Sequence, residues 1–222
     1  MNLRAPSRAG GAAGGSRSAR RGGGEVRIIG GRWKRTRLTV PDRPGLRPTP
    51  DRVRETLFNW LGQDLTGLRC LDAFAGSGAL GLEAASRGAR LVCLIERDPQ
   101  LVRALSGHVT RLNASDVAVV QADAVTWLSR ATPRSWDVIF LDPPFGEASV
   151  QWNEALFRQA LQAAAPLLAD DGLIYLESPR AWSAEDLRDL PLAVRRQGKA
   201  GMVYFHLLER TGPQASGDNS TP

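Results

Sequence analysis

The chain has 222 residues, 42% of them hydrophobic, with a formal net charge of +6, enough for one sizeable core plus appended segments. No apolar run approaches the length of a bilayer-crossing helix and the amino terminus lacks the apolar stretch of a secretory signal, so a cytoplasmic protein is expected. Residues 1–54 hold fourteen of the 29 Lys and Arg but three of the 23 Asp and Glu, which points to an amino-terminal arm for a polyanion or, alternatively, a solvated tail.

Residues 1–24 are almost wholly Gly, Ala, Ser and Arg and cannot bury enough surface to offset the entropy of ordering, so they should be disordered. Residues 26–29 read as a short strand, and Gly30-Gly31 turns the chain into Arg32-Trp33-Lys34-Arg35. Cations interleaved with an aromatic suit a nucleic-acid surface, where the charges meet phosphates and the ring stacks. The alternative is a solvated hairpin edge with Trp33 packed inward. Four prolines and Gly45 make 41–50 a rigid linker. A helix follows, capped by Thr49 or Asp51, with Val53, Leu57, Trp60 and Leu61 on one apolar face.

From there strand and helix alternate: strands at 69–74, 91–96, 117–120 and 136–141, helices at 79–87, 99–113, 124–130 and 154–168, then a turn at Asp170-Asp171-Gly172 and a strand at 173–177. Residues 192–194 and 202–208 read as a closing hairpin joined through 198–201, and the tail beyond Arg210 should be loose. Repeated βα units imply an α/β fold, a parallel sheet with helices on both faces, to which the hairpin adds one antiparallel strand. Cys70 and Cys93 sit in apolar runs and read as buried thiols, and neither they nor the isolated His108 and His206 have metal-ligand spacing.

The stretch that organises the chain is Asp142-Pro143-Pro144-Phe145, where an apolar strand stops at two prolines. Proline fixes its own φ and keeps its predecessor out of helix, so the turn should hold a carboxylate and a phenyl ring at the carboxyl edge of the sheet, where open α/β folds bind ligands. Asp142 and the Pro143 carbonyl can together accept hydrogen bonds from one planar amine while Phe145 lies against a ring.

Upstream, Gly76, Gly78 and Gly81 match the glycine spacing of a dinucleotide loop, with Glu96 twenty residues past Gly76. Asp72 directly before the loop would repel a pyrophosphate but suits a cofactor with a sulfonium and an ammonium, which S-adenosylmethionine has. Glu96 is placed for its ribose and Asp123 for its adenine amine. Asp98 and Asp137 fit solvated loop or strand-start roles. A nicotinamide-dependent dehydrogenase is the competing reading.

The Asp72–Gly81 loop, Glu96, Asp123 and the Asp-Pro-Pro-Phe turn resemble the class I methyltransferases that modify exocyclic or amide nitrogens. With residues 27–33, 45–60 and 70–84 added, the chain resembles the RsmD-type family of bacterial 16S rRNA guanine-N2 methyltransferases over about 25–210. The resemblance implies a Rossmann-like, seven-stranded, mostly parallel sheet with one antiparallel strand. Composition and resemblance together divide the chain into a Gly/Arg-rich tail (1–24) longer than the family leads one to expect, a basic arm and helix (25–66), a methyltransferase domain (67–210) and a tail (211–222).

The resemblance further implies S-adenosylmethionine held by Asp72, Phe74, Gly76, Gly78, Glu96, Asp123 and Ala124, and catalysis by Asp142, Pro143 and Phe145. The RNA would be met by Arg27, Arg32, Trp33, Lys34, Arg35 and Arg52, and the partner is 16S rRNA in the small subunit or its precursor, approached by a monomer. Thr49, Arg52 and Glu55 would line the cofactor or base pocket, unless they only start a helix. An amino-methyltransferase of DNA or another RNA, acting on adenine N6, and a non-catalytic RNA-binding assembly factor stand as alternatives.

Overall fold

The computed structural model describes residues 24–43, 49–145 and 152–211. The expectations for residues 1–23 and 212–222, for 44–48 in the linker and for the loop 146–151 lie outside the described residues. An antiparallel hairpin, β1 (Glu25–Arg27) and β2 (Arg37–Thr39), encloses one 3-10 turn at Gly31–Trp33 and leads to α1 (Asp51–Trp60). Then follow β3 (Arg69–Asp72), α2 (Ala79–Ser86), β4 (Leu91–Glu96), α3 (Pro99–Arg111), β5 (Val117–Gln121), α4 (Ala124–Leu128), β6 (Trp136–Leu141) and α5 (Glu154–Ala164). The chain ends in β7 (Leu168–Ser178), α6 (Ala184–Leu187), β8 (Leu192–Ala200) and β9 (Val203–Arg210).

The main sheet has the order β5-β4-β3-β6-β7-β9-β8, with β9 antiparallel to both neighbours and the pairings from β5 across to β7 all parallel. The seven strands and the single reversed one are those expected. The strand order reverses between β3 and β6, and a crevice at such a switch point is where an open sheet accepts a ligand. One face of the sheet packs Phe58 of α1, Leu82 of α2 and Leu105 of α3 against Leu94, Phe140 and Tyr175. The other packs Leu128 of α4 and Phe157 of α5 against Ile139 and Leu141. Burial on both faces explains why β6 reads as a nearly unbroken apolar run.

The basic hairpin is part of this packing. Val26, Ile28 and Leu38 belong to the same apolar cluster as Phe58 and Phe140. Beneath them, Arg54 and Glu83 are fully buried. Arg54 donates to Asp51 Oδ1 at 2.6 Å, to the Arg27 carbonyl at 2.8 Å, to the Thr49 carbonyl at 3.2 Å and to Glu83 Oε2 at 3.4 Å. Glu83 in turn accepts from the Ile29 N–H and from Arg87 Nε, both at 2.8 Å. Hairpin, α1 and α2 are therefore locked together by a desolvated ion network whose hydrogen-bonding needs are met internally.

A close approach seals the joint. Gly31 sits at φ +70 with the space for a Cβ 1.9 Å from the Ser86 carbonyl oxygen. Gly31→Ala is expected to combine left-handed strain with a backbone clash and lift the hairpin off α2. Faster hydrogen exchange at the Ile29 and Trp33 amides, which bond to Glu83 and Ser86, would report it, and unchanged protection would count against this packing.

Several local expectations are corrected. Neither Thr49 nor Asp51 caps α1: Pro50 is the N-cap without a side-chain bond, and Thr49 turns its hydroxyl to Glu177 instead. The residues 170–172 do not form a turn but lie within β7, where the register against β6 shifts by three residues between Trp136 and Val138. The helix expected to run to 168 ends at Ala164 and tightens into a 3-10 turn, because Pro166 cannot donate to a helical carbonyl. Pairing extends the closing hairpin to a turn at Gly201-Met202, and α6, held by a Ser183–Asp186 capping box, had not been expected. Asp98 is the N-cap of α3, accepting from the Gln100 and Leu101 amides, and Asp137 is bound by Arg69.

Candidate active site

The carboxyl ends of β3, β6 and β7 bring three carboxylates to one place. In register, Asp72 pairs with Phe140 and Phe140 with Tyr175, so alternation along each strand puts Asp72, Asp142 and Glu177 on the same face as Phe140 and Tyr175. Asp142 and Glu177 each follow one residue after the paired Leu141 and Leu176 and are side-by-side neighbours. Asp72 and Glu177 are buried, Asp142 is partly buried, and its carboxylate has no hydrogen-bond partner among the described residues.

Crowding of like charges shows in the acidities. Burial, with Glu96 and Glu177 nearby, pushes Asp72 up to about 7 although the Gly81 amide favours its ionised form. Burial, then Glu177 and Asp72, hold Asp142 well above the ordinary carboxylate range. Glu177 is also raised by burial, but the Thr49 and Tyr175 hydroxyls oppose the rise. Among the described residues no basic side chain is bonded to Asp142 or Glu177. Such a pocket is biased towards a cationic ligand.

The glycine loop is arranged by its own carboxylates. Asp72 Oδ2 accepts from the Gly81 amide at 2.9 Å, in the first turn of α2, and Glu96 Oε2 accepts from the Gly76 amide at 2.9 Å. Gly81 needs its missing side chain, since a Cβ there would lie 2.2 Å from Leu94 Cδ2 and 3.1 Å from Asp72 Cβ. Glu96 Oε1 also accepts from the Asp98 amide at 2.8 Å. Asp123 is exposed and N-caps α4 through the Thr126 amide at 2.9 Å, with Ala124 buried behind it. A hollow of about 440 Å³ runs along α4 between Trp127 and Trp136 but shares only Asp123 with the predicted set, so it is not the cleft at the switch point.

Beside the proline turn, Pro143 is buried and the partly buried Phe145 ring packs on Phe157, centroids 5.9 Å apart, with Trp152 edge-on to Phe157 at 5.2 Å. On the arm, Lys34, Arg35 and Arg52 are exposed with no ion pair among the described residues. Arg32 is forked onto Asp116 at 2.6 Å, and Arg27 meets Asp51 at 2.8 Å. Trp33 packs towards the apolar cluster with the Arg32 guanidinium 4.1 Å from its ring centre, the inward-packed alternative. Phe74 flanks the loop, partly buried.

Sequence reasoning missed Glu177 and Thr49 as a pair, although the signal existed: Glu177 ends an apolar strand in the same manner as Asp72, Glu96 and Asp142. Thr49, expected either to start a helix or to line the pocket, reaches the carboxylate cluster through Glu177. Cys70 and Cys93 are buried free thiols, with burial pushing them up to about 12 and 11.

A doubly wound sheet reversed only at β9, a glycine turn anchored by Asp72 and an Asp-Pro-Pro-Phe turn across the switch point are the marks of a class I methyltransferase. Comparison narrows the assignment. The chain belongs to the RsmD family, described as conserved hypothetical protein 95, whose match spans residues 26–209. It is 41% identical over 199 residues to the Escherichia coli (strain K12) protein named ribosomal RNA small subunit methyltransferase D, covering 85% of this chain and 92% of the relative. The protein of the same name from Haemophilus influenzae is 40% identical over 160 residues, 71% of this chain and 80% of that one. The solved structure of Escherichia coli yhhF superposes with a TM-score of 0.69 at 36% identity, covering 85% of this chain and 99% of that chain.

Proposed function

We propose that this enzyme transfers a methyl group from S-adenosylmethionine to the exocyclic N2 of a guanine in 16S rRNA of the small ribosomal subunit or its precursor. The observation that carries the reading is the Asp142 carboxylate, without a hydrogen-bond partner among the described residues, beside Pro143 at the switch-point end of β6. The names of the relatives support rRNA as the substrate class. The donor set fits the cofactor: Asp72, bonded to no basic side chain among the described residues, complements a sulfonium and an ammonium, and Phe74, Gly76 and Gly78 form the wall beside it. Glu96 has lone pairs left for ribose hydroxyls, and Asp123 with the Ala124 amide would take the adenine edge. When bound, S-adenosylmethionine supplies an electrophilic methyl group.

The chain's own residues then orient the acceptor. A guanine N2 lone pair is delocalised into the ring, and hydrogen bonds from the amine to Asp142 and the Pro143 carbonyl localise it towards the methyl. Phe145, braced by Phe157, would support the base plane, and the base must leave its stack at a cost of a few kcal/mol. Phosphate contacts by Lys34, Arg35 and Arg52 offset that cost, with Arg27, Arg32 and Trp33 holding the surface they project from. A monomer working in the cytoplasm is part of this reading, supported by the rRNA named for the relatives; no helix of the described residues is long and apolar enough to cross a membrane.

The test is to incubate small subunits from cells lacking the gene with the purified protein and cofactor, then to digest the RNA and analyse nucleosides by mass spectrometry. N2-methylguanosine is the expected product; methyladenosine or no product would overturn the reading. Removing both exposed arm charges in a Lys34→Ala, Arg35→Ala variant should weaken RNA binding and lower the slope of log affinity against log salt by about 2. An unchanged slope would remove the arm from the interface.

A further inference from the structure

We propose, resting on the methyl transfer proposed above, that Glu177 is a positioning residue: anchored by Thr49 and Tyr175 beside Asp142, it makes Asp142 the acceptor of the proton that the amine sheds. Glu177 is buried at the end of β7, and its Oε1 accepts from the Thr49 hydroxyl at 2.6 Å and the Tyr175 hydroxyl at 2.9 Å. Both donors favour the ionised form. The neighbouring Asp142, one residue past Leu141, which pairs with Leu176 of β7, is reached by neither hydroxyl among the described residues. Of two crowded carboxylates, the one holding two hydroxyl donors keeps the negative charge, and the other keeps the proton until a higher pH.

The chemistry needs such a group. As the N–C bond forms and the C–S bond breaks, the electron pair of the broken bond stays on sulfur and N2 becomes positively charged. One of its two protons must then leave, its bonding pair returning to nitrogen. An ordinary exposed aspartate is a weak base for this, whereas Asp142 beside a fixed anion binds the proton firmly while still lying on the amine. The other groups facing the pair are accounted for. From β3, Asp72 is bound to the Gly81 amide, with Glu96 beyond it; from β7, the raised Tyr175 phenol donates to Glu177; from α1, Arg54 reaches the Thr49 carbonyl rather than either carboxylate. Thr49 thereby ties the site to the buried network under the basic hairpin, a link through packing that local sequence does not announce.

The direction of the pH effect follows. A charged Glu177 opposes ionisation of Asp142, so Glu177→Gln should let Asp142 lose its proton at lower pH. Infrared titration of the ligand-free full chain from roughly pH 4 to 9 reads this directly through the protonated carboxyl stretch, assigned by its loss in Asp142→Asn. The expected result is a midpoint for Asp142 lowered by about one pH unit or more in Glu177→Gln, with the acid limb of kcat moving down alongside. Glu177→Asp, which keeps the charge, should hold the midpoint near that of the native protein. If Glu177→Gln does not fold, Thr49→Val is read in its place: losing one hydroxyl donor should draw the proton towards Glu177 and lower the Asp142 midpoint by a smaller amount. A midpoint that stays fixed in the variant read would overturn the proposal. The infrared measurement needs no substrate, so a failure of the guanine assignment would leave it interpretable, and a failure here would leave that assignment standing.

Discussion

Asp142→Ala is expected to lower kcat by at least about a thousandfold while S-adenosylmethionine affinity, measured by calorimetry, stays within a few-fold of the native value. The carboxylate is the clamp's acidic half, and in the described residues nothing else bonds to it, so its loss removes an interaction realised as the amine becomes nucleophilic. The residues proposed to hold the cofactor, by contrast, lie on β3, β4, the glycine loop and the start of α4. The same substitution should not cost stability, because it removes one of three carboxyl groups whose burial together disfavours their ionisation. An equal or higher melting temperature with lost turnover would fit a site that accepts electrostatic strain for function. A variant with more than about a tenth of native turnover would sink the clamp assignment.

The second large effect is on folding. Arg54→Ala would leave Glu83 buried without one of its two cationic partners and would orphan the Thr49 and Arg27 carbonyls. Breaking a buried pair from one side costs about 3–5 kcal/mol, roughly 10 °C in melting temperature for a domain of this size. Calorimetric melting of the full chain checks it, and a fall under about 2 °C would show that the network contributes little. Because Arg54 bonds to the residue that also holds Glu177, the variant should lose order at the Thr49 end of the active site before the sheet itself unfolds.

The comparison of sequence with structure is instructive at particular residues. β6 was placed at its observed limits, Trp136–Leu141, because a strand buried on both faces and ended by two prolines carries its boundaries in local chemistry. The glycine loop was legible for a similar reason: its spacing is local, and at Gly81 an added Cβ would press on Leu94 and Asp72. The β7 region was misjudged because Asp170-Asp171-Gly172 has the composition of a turn, yet pairing with β6 and a three-residue register shift kept it in the sheet. Trp33 and Arg32 carry the composition of a nucleic-acid surface, and the fold adds what composition does not state: ring and cation are also engaged with the rest of the domain, Arg32 through Asp116, 84 positions away in the chain.

From the order of apolar runs, glycines, prolines and acids along the chain came the α/β class, the cofactor loop and the Asp-Pro-Pro-Phe turn, since each is written within a few consecutive residues. The folded arrangement alone revealed that Thr49 and Tyr175 converge on Glu177, that Glu177 stands beside Asp142, and that Arg54 and Glu83 bury opposite charges under the hairpin. Those relations join residues as far apart as 128 positions, and no local propensity encodes a distance of that kind; it arises when parallel strands are set in register and a helix is packed across them.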